Sequence, residues 1–137
     1  MTETQYMLDT NIASSAIRGS IPGLRDRLRT IPANNVCLSV VTEAELLRGI
    51  LRKPEAVALG QAVRRFLQSI NILCWESSTA EMYAWLRVNT EKSGLSLSTM
   101  DMLIAAQAAE AKAVLVTNDQ ALHRFKKWIN VEDWAEA

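Results

Sequence analysis

Four carboxylates carry the chemistry that this sequence can offer. Asp9 closes the apolar run Gln5-Tyr6-Met7-Leu8, Glu45 follows the run Val36 to Val41, Asp119 follows Val114-Leu115-Val116, and Asp101 falls in the first turn of an alanine-rich helix. A carboxylate at the end of a buried strand is tolerated only when it is hydrogen-bonded, paired or bound to a cation. Four of them together would repel and raise one another's pKa unless a hard divalent ion neutralised them. An oxygen-only ligand set favours Mg2+ or Mn2+ over zinc. The chemistry that one or two such ions support is phosphodiester hydrolysis by a metal-activated water, which needs no lysine, histidine or serine nucleophile. Asp101 and Asp119 also suit helix N-termini as purely structural residues, so the joint pattern carries more than either acid alone. Glu43 competes with Glu45, but residues two apart on a helix point in different directions, and Glu43 is read as solvated.

Short apolar runs alternate with amphipathic stretches along the chain. Strand-like runs are expected at Gln5–Leu8, Val36–Val41, Ile70–Trp75, Val114–Val116 and around Ile129 and Val131. Helices are expected from Asn11 to Arg18, stopped by Gly19-Ser20, and then from Pro22, with Leu24, Leu28 and Ile31 on one face. Others are expected after Thr42 as N-cap, from Glu55 to Ser69, from Ala80 to Glu91 with Met82, Leu86 and Trp85 inward, from Met100 to Ala109, and after Asp119. Such alternation predicts an α/β fold, a three-layer α/β/α sandwich on a mostly parallel sheet. Strand C-terminal ends then share one edge, which lets the four acids converge. No repeat or linker divides residues 1–137, so one domain is expected.

The 137 residues hold 15 basic and 15 acidic side chains and 49% hydrophobic residues, a globular composition with no apolar run near the ~20 residues of a membrane span. The N-terminal residues lack the features of a signal peptide, which predicts a cytoplasmic protein. Cys37 and Cys74 lack redox or zinc spacing and are read as buried reduced thiols. His123 is the only histidine, and a surface position is expected for it. Met7, Met100 and Met102 are read as fillers, and Trp75, Trp85, Trp128 and Trp134 as packing residues. Zero net charge hides an asymmetry: from Arg18 to Arg65 there are nine bases and four acids, and an acidic tail runs from Glu132 to Glu136. Arg25, Arg29, Arg48 and Arg52 are candidates to hold phosphates of a phosphodiester substrate beside the acids.

These residues match a known pattern. MLDTN at 7 to 11, SVVTEAELLRG from Ser39 to Gly49, DMLIAAQA from Asp101 to Ala108, VLVTND at 114 to 119 and VEDW at 131 to 134 make the chain resemble PIN-domain ribonucleases, and among them the VapC-type toxins of toxin–antitoxin pairs. The resemblance implies a Mg2+- or Mn2+-dependent endoribonuclease using Asp9, Glu45, Asp101 and Asp119 as metal and catalytic residues, with Glu45 matching the acid before Leu-x-x-Gly. It implies that Thr10, Asn11, Ser39 and Thr117 orient the acids or the metal's water. It further implies a structured RNA substrate, a tRNA cut in its anticodon stem-loop to arrest translation. The expected partners are a second copy of the chain and an antitoxin whose C-terminal segment covers the acidic pocket. Contacts with the antitoxin are expected within the Ile12 to Ile31 region. Two departures stand out: Gln107 replaces a histidine frequent in relatives and is expected to matter little, and Asp119 stands where many relatives have asparagine.

Three competitors share parts of the pattern. A haloacid-dehalogenase-like phosphatase also starts with a strand ending in aspartate, but needs a second aspartate where Asn11 stands. A phosphoacceptor receiver module needs a lysine after a late strand, which Thr117-Asn118-Asp119 does not provide. A non-catalytic RNA-binding module would not need the complete acid set.

Overall fold

A computed structural model describes residues 3–135; Glu136 of the expected acidic tail lies outside them. Five strands form one sheet: β1 Tyr6–Leu8, β2 Val36–Ser39, β3 Asn71–Leu73, β4 Val114–Val116 and β5 Asn130–Glu132. Their order is β3-β2-β1-β4-β5 and every pairing is parallel. Helices α1 Thr10–Arg18, α2 Leu24–Arg29, α3 Val40–Arg52 and α4 Val57–Ser69 connect the first three strands. Helices α5 Ser77–Lys92 and α6 Thr99–Glu110 lead to β4, and α7 Gln120–His123 precedes β5.

The strands are short, but their period-two alternation sorts side chains onto two faces. Met7, Cys37 and Leu115 pack with Leu86, Met102 and Ile104 of α5 and α6. Leu8, Leu38 and Val116 pack with Ile12, Leu24, Leu46 and Val63 of α1 to α4. Both faces are covered, which is why β1 and β4 read as continuous apolar runs. The three expected layers follow, with a wholly parallel sheet.

The chain leaves β1 towards β2 on one side and returns from β3 to β4 on the other. The strand order therefore reverses between β1 and β4, and in open parallel sheets the crevice beyond the strand ends at such a reversal is where ligands bind. Asp9 follows β1 directly, and Asp119 stands three residues beyond the end of β4.

Several boundaries differ from the sequence reading. Val40 and Val41 are helical: Ser39 Oγ accepts from Val41 N at 2.9 Å, so Ser39 is the cap of α3 and Thr42 is buried inside the helix. Gly23, at φ 80, precedes α2, which starts at Leu24 rather than Pro22 and stops before Ile31. Trp85 lies 53% exposed instead of inward, and Cys74, beyond the end of β3, is exposed while Cys37 is buried; both thiols are free. Gln107 is buried in the interface of α6 with the sheet, its Nε2 donating to Leu73 O at 2.8 Å and Cys74 O at 2.9 Å. Its amide anchors α6 to the end of β3, so the position is structurally more demanding than expected.

Candidate active site

Asp9 ends β1 and begins α1. Its backbone N–H donates to Val116 O at 3.0 Å, tying it to β4, and its Oδ1 accepts from Ile12 N at 2.8 Å as the N-cap of α1. Only 4% of the residue is exposed. Burial pushes its pKa above the ordinary carboxylate value; bonds from the Thr117 hydroxyl and Ile12 N–H oppose that shift, and the charges of Asp101 and Asp119 add to it. The charged form is thus disfavoured by the fold alone.

The remaining acids are delivered by three other elements. Ser39 ends β2 and starts α3, which carries Glu45 inward, where the Thr10 hydroxyl donates to Glu45 Oε1. Thr10 Oγ1 also lies 3.3 Å from the Thr42 hydroxyl. Ser98 caps α6 by accepting from Asp101 N at 3.2 Å, which sets Asp101 in the first turn. Asp119 caps α7, its Oδ1 accepting from Ala121 N at 2.9 Å. A single cleft, of about 270 Å³, is lined by Asp9, Glu45, Asp101 and Asp119 together with Thr10 and Asn11. Ser98 and Met100 complete it. Glu43 takes no part in the lining.

Thr117 joins the two halves of the site. Fully buried, it donates its hydroxyl proton to Asp9 and accepts from Asp119 N at 3.0 Å. Its own N–H donates to Glu132 O at 3.0 Å, which is how the closing VEDW stretch secures the site. His123, half-buried instead of on the surface, places its Nε2 2.9 Å from Thr117 O. A carbonyl only accepts, so Nε2 carries the proton. No residue type or spacing in the sequence signals that supporting role, because it runs to a main-chain carbonyl. Of the expected polar helpers, Thr10, Asn11 and Thr117 reach the cleft or its acids, while Ser39 acts through α3.

The donor set fits a hard cation: it is entirely oxygen, anionic and partly desolvated. Among the described residues no group of three or more His, Cys, Asp or Glu side chains is drawn close enough to hold a metal ion as it stands. Asp9, Glu45 and Asp119 each commit an oxygen to a hydrogen-bond donor. Each carboxylate keeps a second oxygen.

The four candidate arginines divide. Arg25 turns its Nε to Ala16 O at 2.8 Å and its Nη2 to Ile17 O at 2.6 Å, capping the last carbonyls of α1; it is a fold residue, and a Cβ on Gly19 would stand 2.9 Å from its guanidinium. Arg29 pairs with Asp26 at 2.8 Å on the surface. Arg48 and Arg52 are exposed on α3, three and seven residues after Glu45 and so on its side of the helix.

The PIN domain model matches residues 6–127. The chain is 31% identical over 132 residues to Ribonuclease VapC2 of Rickettsia felis, covering 94% of this chain and 97% of that protein. It is 28% identical over 132 residues to Ribonuclease VapC2 of Haemophilus influenzae, covering 95% and 98%. Among solved structures, VapBC2 from Rickettsia felis bound to a DNA fragment from its promoter superposes with a TM-score of 0.86 at 29% identity, over 96% of this chain and 99% of that one. DNA-bound VapBC from Salmonella typhimurium does so with a TM-score of 0.87 at 25% identity, over 96% and 99%. With four acids at the strand reversal of a parallel sheet and relatives of full length, the chain belongs to the PIN-domain family and, within it, to the VapC-type ribonucleases.

Proposed function

We propose that this chain is the toxin of a toxin–antitoxin pair, an endoribonuclease that depends on Mg2+ or Mn2+ and cuts structured RNA, a tRNA in its anticodon stem-loop, so that translation stops. The observation that carries this reading is the convergence of Asp9, Glu45, Asp101 and Asp119 on one cleft. Those four residues would hold the cation, which when bound supplies an activated water and charge neutralisation at the phosphate.

This chain's own side chains set up that chemistry. Asp9 is fixed by the Ile12 N–H and Thr117 hydroxyl with one face left to the cleft. Thr10 holds Glu45 back from its neighbours through one hydroxyl, and Thr117 keeps Asp9 and Asp119 in register. Packing around Asp9 excludes water, which strengthens each interaction with an incoming charge. Arg48 and Arg52, on the Glu45 side of α3, hold flanking phosphates.

The reading includes a homodimer and an antitoxin, since the similar structures named above are VapBC assemblies. A groove between α1, α3 and α4, lined by Ile17, Leu46, Ile50 and Val63, opens at Thr10, Asn11 and Glu45 onto the acid cleft. An antitoxin segment lying along it would reach the acids directly. The phosphatase reading lacks its second aspartate, because Asn11 stands at the cleft in that place. Mapping new 5′ ends in RNA from cells expressing the wild type or Asp9→Asn tests the proposal. Cleavage at discrete tRNA positions by the wild type alone supports it, and identical cleavage by both rejects it.

A further inference from the structure

At the end of β4 opposite Asp119, three lysines gather around a second cleft. Lys112 stands just before β4, Lys126 and Lys127 lie in the turns that lead into β5, and all three line a cavity of about 360 Å³ with Trp128 and Asn130. Lys127 Nζ lies 5.4 Å from the Trp128 ring centroid, over its face. Lys112 has φ 55, the only non-glycine residue at positive φ among those described; glycine or asparagine would take that backbone with less strain.

None of the three lysines forms an ion pair among the described residues. The nearest acids in sequence are engaged elsewhere, Glu110 accepting from the Ser78 and Thr79 hydroxyls and Glu132 pairing with Arg27 and accepting from Trp134 Nε1. Nor are the ammonium groups needed to cap α6, whose last carbonyls accept from the N–H groups of Ala111, Lys112 and Ala113. Three unpaired cations around one concavity suit an anion with several spaced charges. The segment from Asp119 to Lys127, seated on the sheet by Leu122 and Phe125, joins the acid cleft to the lysine cleft, so a polyanion crossing it would meet both.

We propose that this lysine cleft holds backbone phosphates of the same RNA whose scissile bond enters the acid cleft. The proposal rests on the ribonuclease reading for its ligand, but binding can be measured without cleavage. Anisotropy of a fluorescein-labelled RNA hairpin in EDTA, from about 50 to 200 mM salt, compares the wild type with the triple variant K112Q/K126Q/K127Q and with the corresponding triple Lys→Arg variant. Each lost phosphate contact removes about 0.7–0.9 from the slope of log affinity against log salt. Three contacts make the wild type's loss of affinity over that range about 20- to 40-fold greater than the glutamine variant's. The arginine variant is expected to keep the wild-type slope, and the glutamine variant to cleave with raised KM and unchanged kcat. Equal slopes for wild type and glutamine variant overturn the proposal, as does a lysine-dependent affinity for polyglutamate with none for RNA. Lysine-dependent RNA binding without Mg2+-dependent cleavage would instead sink only the ribonuclease reading.

Discussion

Asp9→Asn is expected to stabilise the protein while removing its activity. The amide keeps the α1 cap, since asparagine and aspartate are equivalent N-caps and its Oδ1 still accepts from Ile12 N, now at 2.8 Å. The new NH2 faces Thr117, whose hydroxyl oxygen has a second lone pair to accept it besides the Asp119 N–H. What disappears is a buried charge disfavoured by desolvation and by Asp101 and Asp119. Every pKa unit of that elevation corresponds to about 1.4 kcal/mol against the native state at neutral pH. A gain in stability, read as a higher Tm in proportion to that elevation, follows in EDTA at pH 7. Because the native state binds the Asp9 proton more tightly than the unfolded chain does, wild-type stability falls as pH rises through the elevated pKa. The gap between variant and wild type should therefore be widest above the elevated pKa and close as pH drops towards 3.8, the unperturbed value. Asp9→Ala loses the cap as well, at about 0.5–2 kcal/mol, and should melt below Asp9→Asn. Mg2+ at about a hundred times its Kd should raise the wild type by about 2.7 kcal/mol and leave both variants nearly unmoved. Thermal denaturation across pH, with and without Mg2+, reads all of this. An Asp9→Asn protein that melts below the wild type in EDTA at pH 7 would refute the reasoning.

Thr10→Val should free Glu45 with a small change in stability, and metal affinity measured by calorimetry should fall about 10- to 100-fold. Gln107→Leu strands the Leu73 and Cys74 carbonyls that now accept its amide, at about 1–3 kcal/mol, visible as a lower denaturation midpoint with the cleavage pattern unchanged. One thiol per chain should react with a thiol-exchange reagent in the native state: Cys74 is exposed, whereas burial pushes Cys37 up to about 11, so two reacting equally fast would contradict the fold.

The layers and the acid set were legible because each depends on a local signal. Apolar runs buried on both faces mark parallel strands, and an acid directly after such a run has few reasons to be there. Helical direction set Glu43 and Glu45 apart, and the match of Glu45 to the acid before Leu-x-x-Gly chose between them. Details set by tertiary partners were not legible. Ser39 rather than Thr42 caps α3 because the strand stops two residues earlier than its β-branched composition suggests. Arg25 looked like one more surface cation until α2 folded it against the end of α1, and Gln107 looked incidental until β3 presented two carbonyls to it. His123 acts on the site through the main-chain carbonyl of Thr117, a relation that spacing does not encode.

Single-turnover RNA cleavage measured against Mn2+ concentration, for the wild type and for Asp9→Asn, Glu45→Gln, Asp101→Asn and Asp119→Asn, tests the shared metal site most directly. Each variant is expected to abolish cleavage or to demand far more Mn2+ for half-maximal rate, and EDTA is expected to stop the wild type completely. Cleavage that persists in EDTA, or that responds to Mn2+ identically in the wild type and Asp9→Asn, would contradict a cation held among these four acids.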